Sequence, residues 1–311
     1  MIKTEMLTKK FSDNRGVFSV NLNVPKGAIY GFVGHNGAGK TTTIKMLCGL
    51  LKSDSGKAFI NGLEVIPKNI PQIKRTIGYM PDITGVYPQM SVWEFLDFYG
   101  AAFKIPPKKR KQRIEEVLDI THSTEMLDYQ VASLSRGMRQ RIGLAKTLIH
   151  DPPVLILDEP AGGLDPNARI EMRQTIARLR EIGKTIMLSS HILPELSSVC
   201  DVVGIIFKGK LLAQGTVDEI SRQLQENMSI EITVDSDIDR LITFLEGAGN
   251  IVGIKKTDEN QVQILYSGAR DTVSSLLNAI IATGIPLRFF KEVEADLENV
   301  FMDIITREKD K

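Results

Sequence analysis

The sequence predicts an α/β fold with a parallel central sheet, followed by a smaller α+β domain. Three observations lead there. The apolar run Ala28-Ile29-Tyr30-Gly31-Phe32-Val33 leads into Gly34-His35-Asn36-Gly37-Ala38-Gly39-Lys40-Thr41. A helix with Ile44, Leu47 and Cys48 on one face is expected next, from Thr42 to Leu51. Strand, glycine loop and helix open a βαβ unit. Two more apolar runs, Val154–Leu157 and Thr185–Leu188, flank a helical stretch from about Ala168 to Glu181. Uninterrupted runs of strand length suit parallel strands buried on both faces. Past residue 228 the elements follow the order β-α-β-β-α-β-α, which suggests a small ferredoxin-like domain.

In chain order, Val17, Val20, Leu22 and Val24 approach the turn signal Pro25-Lys26-Gly27, and Ala58-Phe59-Ile60 meets the hairpin pair Asn61-Gly62. These read as antiparallel strands flanking the core. Ile77–Met80 is a strand, and Ser91-Val92-Trp93-Glu94 has capping-box spacing, so a helix should run to about Tyr99. Residues 113–149 are mostly helical. In the second domain Ile230, Ile232 and Val234 alternate, while Ile238, Leu241, Ile242 and Leu245 recur at helical spacing. Ile251–Ile254 and Val262, Ile264, Tyr266 form a strand pair, and Val273, Leu276, Leu277, Ile280 and Ile281 a second helical stripe. Pro286–Phe290 starts another strand, and Leu297, Val300, Phe301 and Ile304 make a last helix with Asp296 as its N-cap. Domains are expected over residues 1–220 and 228–311.

Composition excludes several function classes. The chain has 311 residues, 42% hydrophobic and 25% charged, with a formal net charge of +1, which argues against a polyelectrolyte partner. Lys108-Lys109-Arg110-Lys111 is a basic run in a domain that is not otherwise basic. It reads as a solvated helix face, and nucleic acid is not expected as a partner. Cys48 and Cys200 fall in apolar helical or strand settings, make no metal spacing, and read as core thiols in a reducing compartment. No apolar run approaches the roughly 20 residues that span a bilayer, and Met1-Ile2-Lys3-Thr4-Glu5 has no secretory pattern. A cytoplasmic chain that meets a membrane through a partner is expected.

The chemistry concentrates in two places. Gly34–Thr41 fits the phosphate-loop pattern G-x-x-x-x-G-K-[ST]. Its glycines let backbone N–H groups curl around phosphate oxygens, and the following helix N-terminus adds partial positive charge. Lys40 would reach the β- and γ-phosphates and Thr41 would hold Mg²⁺. A chance match somewhere in such a chain has a frequency of about 1% at average composition, and the flanking strand and helix lower it. The loop assigns a nucleoside triphosphate. Val154–Leu157 ends in Asp158-Glu159, at the edge where an open α/β sheet binds ligands. There Asp158 can hold Mg²⁺ through water and Glu159 can polarise an attacking water. Leu134-Ser135-Arg136-Gly137-Met138 begins an amphipathic helix. Standing alone, Ser135 is simply a cap, at a helix end that would also suit an anion.

The order of motifs resembles the nucleotide-binding subunit of ATP-binding-cassette (ABC) transporters, over about residues 1–215. Gly34–Thr41 resembles its Walker A, Leu134–Met138 a variant of its LSGGQ signature, and Leu155–Glu159 its Walker B with catalytic glutamate. Gly163-Leu164-Asp165 resembles its D-loop and Ser189-Ser190-His191 its switch histidine. The resemblance implies a mixed-sheet core, an antiparallel β subdomain and a helical subdomain at about 82–150. It implies ATP with Mg²⁺, held by Gly34, Asn36, Gly37, Ala38, Gly39, Lys40, Thr41 and Thr42, with Phe11 stacked on adenine and Thr41, Asp82 and Asp158 at the metal. Glu159, His191 and Lys40 would be catalytic. Asp165 would also contact the cofactor, and Ser135 and Gly137 would complete the site of a second subunit, since two cassettes pack head to tail around two ATP.

Three segments depart from the family pattern: the signature, at Arg136 and Met138; Asp82, where Gln is expected; and Ala161-Gly162 before the D-loop. Asp82, shorter and charged, keeps the coupling position with an altered metal contact. Ile77–Tyr99, the run Ser190–Leu193 and the C-terminal Leu297–Phe301 resemble exporters of the ABC-2 type. The implied function is an ATPase subunit driving export through separate membrane permease subunits. These dock on a groove at Asp82–Tyr99, so Trp93→Ala should weaken membrane association. The rival readings are a soluble ABC ATPase without a membrane partner and a regulatory module that binds ATP without turnover. The C-terminal domain would dimerise, pack, regulate or bind a ligand.

Overall fold

The computed structural model describes residues 1–293 apart from 14, 84, 86, 193–195, 197, 217–218, 221–227 and 269. The chain divides into two compact units, Met1–Val217 and Asp218–Lys311. The helix expected at 296–304 lies outside the described residues.

The first unit is an α/β cassette. Strands β1 (Ile2–Ser12), β2 (Arg15–Val20), β3 (Asn23–Val24), β5 (Ser55–Ile60) and β6 (Leu63–Glu64) form an antiparallel sheet. The β5–β6 turn is made by Asn61 and Gly62, with φ of 49 and 80, the double positive φ that an Asn-Gly hairpin needs. The central sheet contains β4 (Ile29–Val33), β7 (Ile77–Met80), β8 (Val154–Leu157), β9 (Thr185–Ser190), β10 (Val202–Phe207) and β11 (Lys210–Gly215). Its order is β11-β10-β4-β9-β8-β7, parallel except for β11 at the edge. Every residue of β4, β8 and β9 is buried, which is why these strands read as unbroken apolar runs rather than alternating ones.

Helix α1 (Lys40–Leu47) follows β4, and α2 (Ile70–Thr76) precedes β7. Helix α1 stops short of the expected Leu51. Gly49 takes φ 66 and donates to Met46 O at 3.0 Å, while Leu50 donates to Lys45 O at 2.8 Å. This left-handed glycine closes the last turn and redirects the chain. The helical part comprises α3 (Val92–Ala102), α4 (Pro107–Ile120) and α5 (Arg136–Leu148). The Ser91/Glu94 capping box is present in both directions, and α3 runs past Tyr99. The basic run lies in the first turn of α4, where Arg110 departs from the solvated reading: its Nε lies 2.6 Å from Asp97 Oδ1 and joins α4 to α3. Helix α6 (Pro166–Glu181) begins two residues before the expected Ala168, because Asp165 accepts from the Ala168 N–H and Pro166 sits at N1. Cys200 precedes β10 in neither helix nor strand, a correction to its expected setting.

The second unit contains, in order, β12 (Met228–Val234), α7 (Ile238–Gly247), β13 (Ile251–Asp258), β14 (Gln261–Tyr266), α8 (Val273–Ala282) and β15 (Leu287–Val293). The sheet order is β13-β14-β12-β15, with every neighbour antiparallel. Its core joins Ile230, Ile232, Val262 and Ile264 to Leu241, Leu245 and Ile280. No helix among the described residues is long and apolar enough to cross a membrane.

Candidate functional site

Strand β9 lies between β4 and β8, so their carboxyl ends meet at one edge. Val33 pairs with Ser190 and Leu157 with Leu188. The glycine loop leaves β4 there. The Gly34 N–H donates to Ser190 O at 3.3 Å, and a Cβ at Gly34 would stand 2.5 Å from Ile206 O, so no larger residue fits. Gly37 and Gly39 take φ of 84 and 114, open to glycine and strained for other residues. Gly39 is the N-cap of α1 and no side chain caps that end. The first N–H groups of α1 therefore remain for an anion.

Lys40, 6% exposed, folds back over the loop. Its Nζ donates to Gly34 O at 2.5 Å and His35 O at 3.3 Å, and lies 3.1 Å from Glu159 Oε1. Glu159 has φ 51, uncommon for a residue with a Cβ. Its N–H donates to Ser189 Oγ at 3.0 Å, and its Oε2 lies 2.9 Å from His191 Nδ1. With a carboxylate as acceptor, that contact puts a proton on Nδ1 of His191. One carboxylate thus joins the phosphate-loop lysine to the histidine after β9.

Asp158 is 1% exposed and accepts from Ser189 Oγ at 2.6 Å. Burial pushes its carboxyl above the usual carboxylate range; hydrogen bonds from Ser189 and Thr41 oppose that, and the charges of Glu159 and Asp82 add to it. A desolvated carboxylate against the Thr41 hydroxyl, with two more acids nearby, is a donor set that suits a hard divalent cation. Among the described residues no group of three or more His, Cys, Asp or Glu side chains forms a metal cage of its own.

A polar cavity of about 210 Å³ brings together Phe11, Asn36, Gly37, Lys40, Thr41, Thr42, Asp82 and Glu159. Phe11 is 56% exposed, a ring with a free face at the rim. Arg15 and Gly16 also line this cavity, and sequence reasoning missed both. It also missed Ser189 as a site residue in its own right: buried, it bridges the backbone of Glu159 to the carboxylate of Asp158. The signal was two serines closing an otherwise apolar strand. Ser135 caps α5 by accepting from the Met138 N–H at 3.2 Å, and Asp165 caps α6. Neither they nor Gly137 line the cavity within one chain.

A glycine loop at the carboxyl edge of a parallel sheet, with a lysine, a threonine and two acids converging on it, defines a P-loop nucleotide-binding protein. The family model described as "ABC transporter" matches residues 17–162. The bacitracin transport ATP-binding protein BcrA of Bacillus licheniformis is 36% identical over 98% of this chain and 97% of its own. The linearmycin resistance ATP-binding protein LnrL of Bacillus subtilis is 31% identical over 99% of each. The Nod factor export ATP-binding protein I of Ralstonia nicotianae is 32% identical over 99% of this chain and 94% of its own. A solved structure of the ATP-binding subunit of an ABC transporter superposes with TM-score 0.65 at 27% identity, covering 79% of this chain and 99% of that one. The chain belongs to the family of ABC transporter ATP-binding proteins, and is an ATPase of that family.

Proposed function

We propose that the chain energises export, working as a dimer around two Mg²⁺-ATP and docked on separate ABC-2 type membrane subunits at the inner face of the cell membrane. The observation that carries this is the convergence of Lys40, Asp158, Glu159 and His191 at one sheet edge, with Ser135 outside the lining of the phosphate-loop cavity. Lys40 is paired with Glu159. Arriving β- and γ-phosphates draw the ammonium away and leave the carboxylate free to take a proton from the attacking water. His191 holds Glu159 from the other side. Thr41 and Asp158, with Asp82, would hold Mg²⁺, which would supply charge neutralisation at the phosphates. Ser135 and Gly137 present the start of α5 to the partner's γ-phosphate, with Asp165 beside them. Export is supported by the names of the Bacillus and Ralstonia relatives, two of which refer to bacitracin transport and Nod factor export.

Phe11 stacks on the base. Removing a stacking ring costs about 1–3 kcal/mol. Phe11→Ala should therefore weaken ATP binding about 5- to 150-fold at unchanged kcat, read by equilibrium dialysis and steady-state assay. Unchanged affinity would remove Phe11 from the site.

The permease groove is supported by exposed Ile83, Tyr87 and Phe98. Beside them a cavity of about 290 Å³ is walled by Leu50, Tyr79, Tyr99 and Phe103. Phe98→Ala and Trp93→Ala should reduce co-purification with the membrane protein of the neighbouring reading frame, with ATP binding intact. Co-purification of wild type that stimulates ATPase activity tests the whole reading. No association, with turnover intact, would favour a soluble ABC ATPase. Asp82→Asn should change both ATPase rate and transport. The second unit is read as ferredoxin-like, supported by its element order and its sheet order β13-β14-β12-β15.

A further inference from the structure

The signature helix touches the loop of the catalytic carboxylate within a single chain. Helix α5 begins at Arg136, directly behind the Ser135 cap. A methyl group added at Gly163 would overlap the Arg136 guanidinium, its three nearest neighbours being Cζ, Nη1 and Nη2 of that one group. Near-equal approach to all three atoms places the guanidinium face-on to Gly163. Gly163 takes φ 66, so both its backbone and its seat call for glycine. Among the described residues Arg136 has no hydrogen-bond or ion-pair partner.

The loop under Arg136 is short and internally bonded. The Gly162 N–H donates to Glu159 O at 2.9 Å, and the Leu164 N–H to Ala161 O at 3.3 Å. Displacing Gly163 therefore displaces Glu159. Two other contacts join the starts of α5 and α6: Gly137 faces the Ala168 Cβ, and Arg141 lies 3.5 Å from Glu171. Those fix helix to helix; the Arg136 contact reaches the carboxylate loop.

We propose that Arg136 is a positioning residue whose guanidinium, seated on Gly163, ties the Glu159 loop to the signature end of α5 in the same chain. The inference rests on the dimer proposed above. There Glu159 serves the chain's own ATP and Ser135 the partner's, so the seat couples two sites. Loss of one γ-phosphate moves α5, and with it the glutamate of the other site. A lysine cannot replace Arg136, because an ammonium is a compact point charge with no flat face.

The test is the steady-state ATPase of the full chain against ATP and protein concentration, with ATP affinity by dialysis. The variants are Arg136→Ala, Arg136→Lys, Gly163→Ala and the Arg136→Ala/Gly163→Ala pair. Arg136→Ala should lower kcat about ten- to a hundredfold, the effect of a small misplacement of a catalytic group. It should bring a wild-type Hill coefficient above 1 down to 1, with dialysis affinity unchanged. Lys should not rescue, and the double variant should be no worse than either single one. Rescue by Lys together with weakened ATP-dependent dimerisation would mean direct contact with phosphate, and would overturn the proposal. So would unchanged kinetics, or losses that multiply in the double variant. Wild-type turnover independent of protein concentration would sink the dimer reading itself. Concentration-dependent turnover with an unaffected Arg136→Ala sinks this inference alone.

Discussion

Glu159→Gln should abolish turnover and leave ATP bound. The side chain is held from two directions, Lys40 Nζ at 3.1 Å and His191 Nδ1 at 2.9 Å, and the backbone N–H donates to Ser189 Oγ at 3.0 Å. Its φ of 51 is a backbone conformation that the surrounding structure must maintain. Such fixed geometry leaves one chemical variable, the basicity of the carboxylate. An amide of the same shape keeps the fold and loses the proton acceptor. Loss of a positioned general base costs about 10²- to 10⁴-fold in rate. The same change frees Lys40 from its ion pair with Glu159, so ATP affinity should hold or rise. Rapid-quench single-turnover measurement gives the rate, and sedimentation with ATP should show a trapped dimer. A kcat within a fewfold of wild type would remove Glu159 as the base.

How much of this was legible in the sequence follows from which contacts are local. Strands β4, β8 and β9 were visible because burial on both faces leaves an unbroken apolar run. The phosphate loop was visible because its glycines, lysine and threonine act through adjacent backbone. The ends of α1 and α6 were misplaced, although Gly49 and the pair Asp165-Pro166 carry the signals. Those are single residues competing with a longer periodic pattern. The Lys40–Glu159 pair, the Ser189 bridge and the seat of Arg136 on Gly163 were not legible. They arise from the parallel register that sets Phe32 beside Ser189 and Leu157 beside Leu188, and from helix starts brought together across the fold. No spacing in the chain encodes such pairings. The second unit's element order could be read from alternation, but its sheet order rests on non-local pairing.

Asp158→Asn should stabilise the empty protein and disable it. The folded chain holds the Asp158 proton more tightly than the unfolded chain does, chiefly because the carboxyl is desolvated. The ionised form therefore costs stability at neutral pH. That cost is fully present above the folded-state value and disappears as pH falls through it. Asparagine removes the charge and keeps an oxygen that can accept from Ser189 or Thr41. The unfolding temperature without nucleotide should rise, each 1 kcal/mol of relieved cost being worth about 2–4 °C in a domain of this size. The gain should shrink as the buffer is acidified, because wild type then neutralises the same group by protonation. With Mg²⁺ and ATP present the order should invert, since bound ligand stabilises wild type by mass action and the variant has lost a metal partner. ATP hydrolysis should fall by two orders of magnitude or more, about the scale on which a positioned electrostatic group acts. Calorimetry across pH, with and without Mg²⁺-ATP, separates these effects. A variant less stable than wild type at neutral pH in the empty state would show that the Ser189 and Thr41 hydrogen bonds outweigh the desolvation of Asp158.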